Sequence, residues 1–315
     1  MSAFDWVAQI LGILVALLAA PLFLGWVNQC RAWLQNKSAP PLLQPYRGIR
    51  KLFYKDAVIA SNASQLFRLA PYVVFGTMVM AAAIIPSVAT RLPFTKAADA
   101  IALVGLFATA RVFVSLAAMD VGTAFGTLGA RREMMIGFLA EPALLMVIFV
   151  ASLISATTAL PAISELLATQ SLALYPSLAF TAVAFIMVLL AENARIPIDN
   201  PATHLELTMI HEAMLLEYSA RHLALMEWAA ALKLFNYDCI GLALFLPWGL
   251  ATQQEPFALT VALLLLGAKL VLAGAGIALI ETVSAKLRVF RAPEFLATAF
   301  MFAVLGLLVR LMLGA

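Results

Sequence analysis

Apolar runs of twenty or more residues alternate with polar connectors along almost the whole chain. Eight such runs cover 4–28, 69–90, 99–119, 134–159, 171–191, 223–249, 257–281 and 294–313. About 20 apolar residues in a helix cross roughly 30 Å of hydrocarbon. Within lipid only a helix or a closed barrel satisfies its own backbone. The pattern therefore predicts eight transmembrane helices and an all-α integral membrane protein. Pro71, Pro86, Pro142, Pro161 and Pro176 fall near run ends or first turns, where a missing N–H costs little. The first run carries Asp5, has no Lys or Arg before it and is too long for a secretory signal; it reads as a retained span. No long polar tail, low-complexity segment or internal repeat interrupts the series, so residues 1–315 are predicted to form a single membrane domain.

Composition strengthens this reading: 64% of residues are hydrophobic and 12% charged, against about half and a quarter in a soluble domain. The placement of the 20 lysines and arginines adds orientation. Fourteen lie in the first, third, fifth and seventh connectors, and Arg91, Lys96 and Arg310 lie on the other side. The positive-inside bias makes the odd connectors cytoplasmic and puts both termini on the outer, periplasmic side. Cys30 and Cys239 are far apart and match no metal or cluster spacing, so they read as packing residues with no disulfide.

The first connector holds an amphipathic stretch, LLQPYRGIRKLFYK at 42–55. Tyr46, Ile49, Leu52 and Phe53 share one helical face, while Arg47, Lys51 and Lys55 recur every four residues on another. That is an interfacial helix with its cations near lipid headgroups; walling a cavity or docking a soluble partner is the alternative. Several ionisable groups fall inside spans: Arg111, Glu141, Glu192, Glu227, Lys233, Asp238 and Lys269. Each costs about 2.5–3.5 kcal/mol at mid-bilayer on insertion scales, so such groups face a polar cavity or one another. Glu227, Lys233 and Asp238 occupy successive depths of one helix and could form an acid–base–acid ladder. Two readings remain open, a static set of interhelical pairs and a hydrated path from the cytoplasmic side toward the membrane middle.

The connector from Ala191 to His222 gathers Glu192, Asp199, Glu206, Glu212, Glu217 and all three histidines, His204, His211 and His222. Pro197 and Pro201 flank Asp199 and make IPIDNP irregular. From His204 the pattern turns helical, with His204, Thr208, His211 and Glu212 on one polar stripe. His204 and His211 are two turns apart, about 10 Å, too far to share an ion. The chain holds no nucleophile–base pair, phosphate loop or dinucleotide fingerprint, which leaves conduction, membrane anchoring or the holding of a hydrophobic substrate. Nothing in it points to nucleic acid.

Glu192, Arg195, Pro197 and Asp199, followed by a helix and Glu217-Tyr218-Ser219, resemble the family of respiratory complex I membrane proteins typified by mitochondrial subunit 1. Leu42–Asp56 and Leu128–Pro142 are similar to the family's interfacial segment and to its fourth helix with a buried glutamate. The wording DNPATHLELTMIHEAMLLEYS is closer to the membrane subunit of group 4 NiFe hydrogenases of the formate hydrogenlyase and hydrogenase-4 type. NPATHLEL, and NKSAPP at 36–41, depart from the complex I branch where that branch walls its quinone chamber. The resemblance implies a bacterial inner-membrane subunit that binds soluble iron–sulfur and NiFe subunits on its cytoplasmic face and couples them to antiporter-like membrane subunits. It would hold no cofactor itself, the NiFe centre and clusters belonging to partners, with quinone as the alternative ligand. Glu141, Glu192, Glu212, Glu217 and Glu227, with Lys233 and Asp238, would form the proton path. Arg195 and Asp199, with Glu206 and His211, would shape the cavity mouth, and Arg131, Arg132, Arg288 and Arg291 would meet the soluble arm. The rivals are a quinone-site subunit of a complex I-like dehydrogenase, a purely structural anchor and a self-contained transporter.

Overall fold

Ser64, Asp99 and Thr123 stand in extended conformation, and each accepts a hydrogen bond from the first turn of the helix it precedes. Such caps satisfy backbone donors that a helix start leaves open. The computed structural model describes residues 3–90, 92–96, 99–169, 176–199, 209–251 and 255–313. Its α-helices in chain order are α1 (Ala3–Leu34), α2 (Gln44–Phe53), α3 (Gln65–Ile84), α4 (Ala100–Asp120), α5 (Ala124–Ser155) and α6 (Leu160–Thr169). There follow α7 (Pro176–Glu192), α8 (His211–Leu215), α9 (Ala220–Phe245), α10 (Pro256–Val283) and α11 (Ala292–Leu313). An isolated bridge between Ala89 and Ala251 is the β pairing among the described residues.

Six helices, α1, α3, α4, α5, α10 and α11, are long and apolar enough to cross a membrane. α6 and α7 are shorter apolar helices. α9 has 26 residues, about 39 Å at 1.5 Å per residue, but carries Arg221, Glu227, Lys233 and Asp238. The long helices pack side by side, α11 on α7 and α5, α3 on α4 and α9, α1 on α10 and α9.

Connectors gather at two ends of this bundle. At one end, here called the basic face, Val58 and Ser219 exchange hydrogen bonds, Ser64 N donates to Asp120, and Leu287 N donates to Pro197 O at 2.8 Å. At the other, Ala251 N donates to Val88 O, and Ala100 N to Thr158 O. Lys269 Nζ lies toward that end and caps the C-terminal carbonyls that follow α9, at Leu246 (2.6 Å) and Trp248. Cys30 and Cys239 are buried free thiols.

α2 lies across the basic face against α1 and α9. Its Ile49 is buried and Tyr46 and Leu52 half-buried, whereas Arg47 and Lys51, with Lys55 just beyond, are exposed. Phe53 is exposed as well, so the apolar face of α2 is covered only in part. The Tyr46 hydroxyl donates to Leu18 O of α1. Gly25 lets the segment that leads into α2 close on α1: a Cβ there would strike the Leu42 carbonyl, its carbon at 3.1 Å.

The helical stripe predicted from His204 does not run unbroken to Glu212. Met209 and Ile210 are not helical, Ile210 having φ −121° and ψ −75°, and the helix begins at His211. Asp199 explains the start, because its Oδ2 accepts the backbone N–H groups of Ile210 (3.2 Å) and His211 (3.4 Å). His204, Glu206 and Thr208 lie outside the described residues, as does Arg91.

Candidate functional site

Glu133, Gly137 and Glu141 follow one another at four-residue intervals and so share one face of α5. Arg111, from α4, lies across that face. The missing side chain of Gly137 is what admits it, since a Cβ there would sit 2.6 Å from Arg111 Cδ and 2.7 Å from Cζ. The guanidinium meets three carboxylates: Glu141, Glu192 at the end of α7, and Glu133 with Nε–Oε1 at 3.5 Å. Its side chain is 6% exposed and that of Glu192 1%. A buried cation among acids stays charged because each neighbour offsets part of its lost hydration.

The contacts continue on both sides. Lys233 of α9 reaches Glu192 Oε2 at 2.9 Å. His211 of α8 places Nε2 3.2 Å from Glu133 Oε2 and Nδ1 3.9 Å from Asp199 Oδ2. Lys286, beyond α10, stands 3.6 Å from Asp199 Oδ1. Glu141, Arg111, Glu192, Lys233, Glu133, His211, Asp199 and Lys286 thus form one unbroken ion chain across five helices and two connectors. Gly129 lets α8 close on α5, with Ile210 O 2.8 Å from where a Cβ would stand.

A second cluster adjoins it. Glu281 of α10, its side chain fully buried, takes Arg195 at 3.1 Å and Arg31 at 3.5 Å. Arg31 and Arg195 line a cavity of about 890 Å³ that opens on the basic face between α1, α2, α8 and α9. Asn28, Lys37, Gln44, Ile49, His211, Glu212, Glu227 and Leu234 complete much of its wall.

Of the residues singled out in the sequence, Glu141, Glu192, Lys233, Asp199 and His211 come together in the ion chain. Arg195, His211, Glu212 and Glu227 meet at the cavity. The three charges proposed as a ladder on α9 do not touch one another. At 100° per residue Lys233 points about 120° away from Glu227, and Asp238 lies about 16 Å further along. Lys233 turns to Glu192, Glu227 faces the cavity, and Asp238 is buried with Oδ2 unpartnered. Glu217 is half-exposed beside Tyr218, whose ring stacks on Phe67 and whose hydroxyl donates to Phe67 O at 3.0 Å. Arg131, Arg288 and Arg291 are exposed, next to a 90% exposed Phe290. Arg132 is half-buried and donates to Met209 O at 2.8 Å.

Sequence reasoning saw Arg111 as an in-span charge without naming its partners. Local sequence carries no sign that Arg31, Lys286 and Glu281 are paired across the bundle. The Glu-x3-Gly-x3-Glu spacing of α5 was the signal for Glu133, with glycine leaving room for a large partner.

Burial alone would hold His211 below its ordinary 6.5, but the Glu133 carboxylate, helped by Asp199, outweighs it and the net shift is upward. A raised folded-state pKa stabilises the fold fully below pH 6.5, and that contribution disappears as pH rises through the higher folded value. The melting temperature of the detergent-solubilised protein is expected to fall between mildly acidic and alkaline pH, with a shallower fall in His211→Gln. A pH series of thermal melts on both proteins checks it; equal slopes would refute the assignment.

The NADH dehydrogenase family matches residues 8–312. Formate hydrogenlyase subunit 4 of Escherichia coli (strain K12) is 35% identical over 300 residues, 93% of this chain and 94% of that protein. Hydrogenase-4 component C of the same organism is 35% identical over 240 residues, 76% and 75% of the two chains. A chain of the membrane-bound sulfane sulfur reductase, an archaeal respiratory membrane complex, superposes with a TM-score of 0.84 at 18% identity, covering 97% of this chain and 99% of its own. That last likeness speaks for the fold alone.

Proposed function

This chain belongs to the NADH dehydrogenase family, and from that premise we propose that it is the membrane-anchoring, proton-path subunit of an energy-converting NiFe hydrogenase complex of the formate hydrogenlyase or hydrogenase-4 type. It is a multi-pass membrane protein with a role like that of the complex I membrane subunit. In this reading eight helices cross the bacterial plasma membrane, the basic face is cytoplasmic and both termini lie outside. Arg131, Arg132, Arg288 and Arg291 receive the soluble NiFe and iron–sulfur subunits, and antiporter-like subunits adjoin within the bilayer. The chain holds no redox centre of its own.

The observation that carries the reading is the ion chain that begins beside the cavity and ends at Glu141. Four carboxylates, Glu133, Glu141, Glu192 and Asp199, share Arg111, Lys233 and Lys286. A proton that neutralises Glu133 or Glu141 leaves Arg111 with two carboxylates and Lys233 with Glu192, so charge enters there without stranding a cation. Glu212 and Glu227 supply acid at the cavity wall, and Glu141, its side chain 33% exposed, opens the far end to a neighbouring membrane subunit. Asp238 and Glu217 lie apart from the chain and have no assigned step.

The complex purified through this chain is expected to contain NiFe and iron–sulfur subunits and to evolve hydrogen with no sensitivity to quinone-site inhibitors. Quinone reductase activity in place of hydrogenase activity would overturn the assignment. The second reading, a quinone-site subunit, has in its favour the apolar part of the cavity wall formed by Leu24, Ile49 and Leu234.

A further inference from the structure

Two polar systems meet at a single side chain. The cavity walls and the buried ion chain have largely separate members. Among the described residues that line the cavity, His211 alone also belongs to the chain. We propose that His211 is the transfer point at which the water of the cavity exchanges protons with the buried carboxylates, a function that rests on the proton-path reading above and assigns its entry.

The geometry gives each ring atom a task. Nε2 stands 3.2 Å from Glu133 Oε2, within reach of direct transfer. Nδ1 faces Asp199, whose carboxylate is held by two backbone donors of the α8 start and by Lys286. The imidazole takes a proton from cavity water and becomes imidazolium. It then gives the Nε2 proton to Glu133 and returns to the neutral ring, so one proton enters and one leaves and no electrons move. Protonated Glu133 loses its attraction for Arg111, which keeps Glu141 and Glu192. The charged groups that set this balance at the ring are Glu133 from α5, Lys233 from α9 and Asp199 from the connector after α7; behind them Lys286 meets Asp199 and Arg111 of α4 meets Glu133. Glu212 follows it on α8.

The shared charges also favour this position. Glu133, Glu141, Glu192 and Asp199 carry four negative charges, and Arg111, Lys233 and Lys286 three positive ones. Among these described groups the chain is neutral when the imidazole is protonated and carries one negative charge when it is not. Loading His211 therefore cancels an excess that a low-dielectric site holds at a cost.

The test is made on the whole complex in sealed inverted vesicles, reading protons moved per hydrogen evolved. His211→Gln is expected to slow proton transfer into the chain about a hundredfold, the scale of losing a positioned acid–base group, and so to remove most of that ratio, and free imidazole added to His211→Ala is expected to restore it. A wild-type ratio in His211→Gln, or a loss that imidazole does not repair, overturns the proposal. Glu192→Gln separates the two levels. If it abolishes coupling while His211→Gln does not, only the entry assignment fails; if neither variant affects coupling, the path itself fails. Should the histidine variants not assemble, the wild-type complex decides. A coupling ratio that falls as pH rises above 6.5, the ordinary imidazole value that Glu133 raises here, supports the transfer point, and a flat ratio overturns it.

Discussion

Arg111→Ala is expected to cost about 3–5 kcal/mol of stability, the scale for removing one partner of a buried ion pair. The guanidinium is the only link that joins Glu133, Glu141 and Glu192 to one another among the described residues. Without it Glu192 keeps Lys233, Glu133 keeps His211, and Glu141 turns to its partly open flank. The first two are then left with one basic neighbour each. Arg111→Lys keeps the charge but not the planar fork that serves three acids, so an intermediate loss follows. Thermal unfolding in detergent measures both. Adding Glu141→Gln to Arg111→Ala is expected to cost less than the two changes summed, because the carboxylate whose ion pair is lost is removed with its partner. An alanine variant that melts with the wild type would refute the hub.

Glu281→Ala is expected to have an effect of the same order, about 3–5 kcal/mol. Here one acid serves two cations, and the acid is the more deeply buried, its side chain fully covered against 6% exposure for Arg195 and 19% for Arg31. Its removal leaves two like charges facing one another at the cavity wall, tied neither to α10 nor to each other. Glu281→Gln keeps the shape and one acceptor and loses less. A paired change, Glu281→Met with Arg195→Met, is expected to recover much of the deficit, since an apolar pair of similar volume replaces a costly desolvated one. Melts of the four proteins check the order; a single variant as stable as the pair would contradict it.

Much of the bundle could be read from the sequence because lipid imposes a long uniform signal. The runs at 99–119 and 257–281 coincide with α4 and α10 to within two residues. The charged faces were harder. Arg111 stood out because an arginine amid 21 residues of apolar helix has few explanations. Glu133 did not, since Arg131 and Arg132 beside it read as an ordinary interfacial cluster. Only the chain's return through α8 shows that the acid points inward while Arg131 points out. Glu281 closes an apolar run, where a charge is unremarkable until the partner on α1, 250 residues away, is known. Arrangements that depend on which distant helix lies opposite are invisible to local periodicity. The α9 ladder is absent for the opposite reason: Glu227, Lys233 and Asp238 share a helix but not a face.

The length of α5 has a mechanical consequence. Its 32 residues make a rod of about 48 Å, longer than the roughly 30 Å of hydrocarbon. One helix therefore presents Arg131 at the rim and holds Glu133 and Glu141 on either side of the Arg111 guanidinium. Pro142 lies inside α5, and an interior proline removes a backbone hydrogen bond and bends a helix, so a shift of the rim reaches Glu133 directly within one turn but meets that bend beside Glu141.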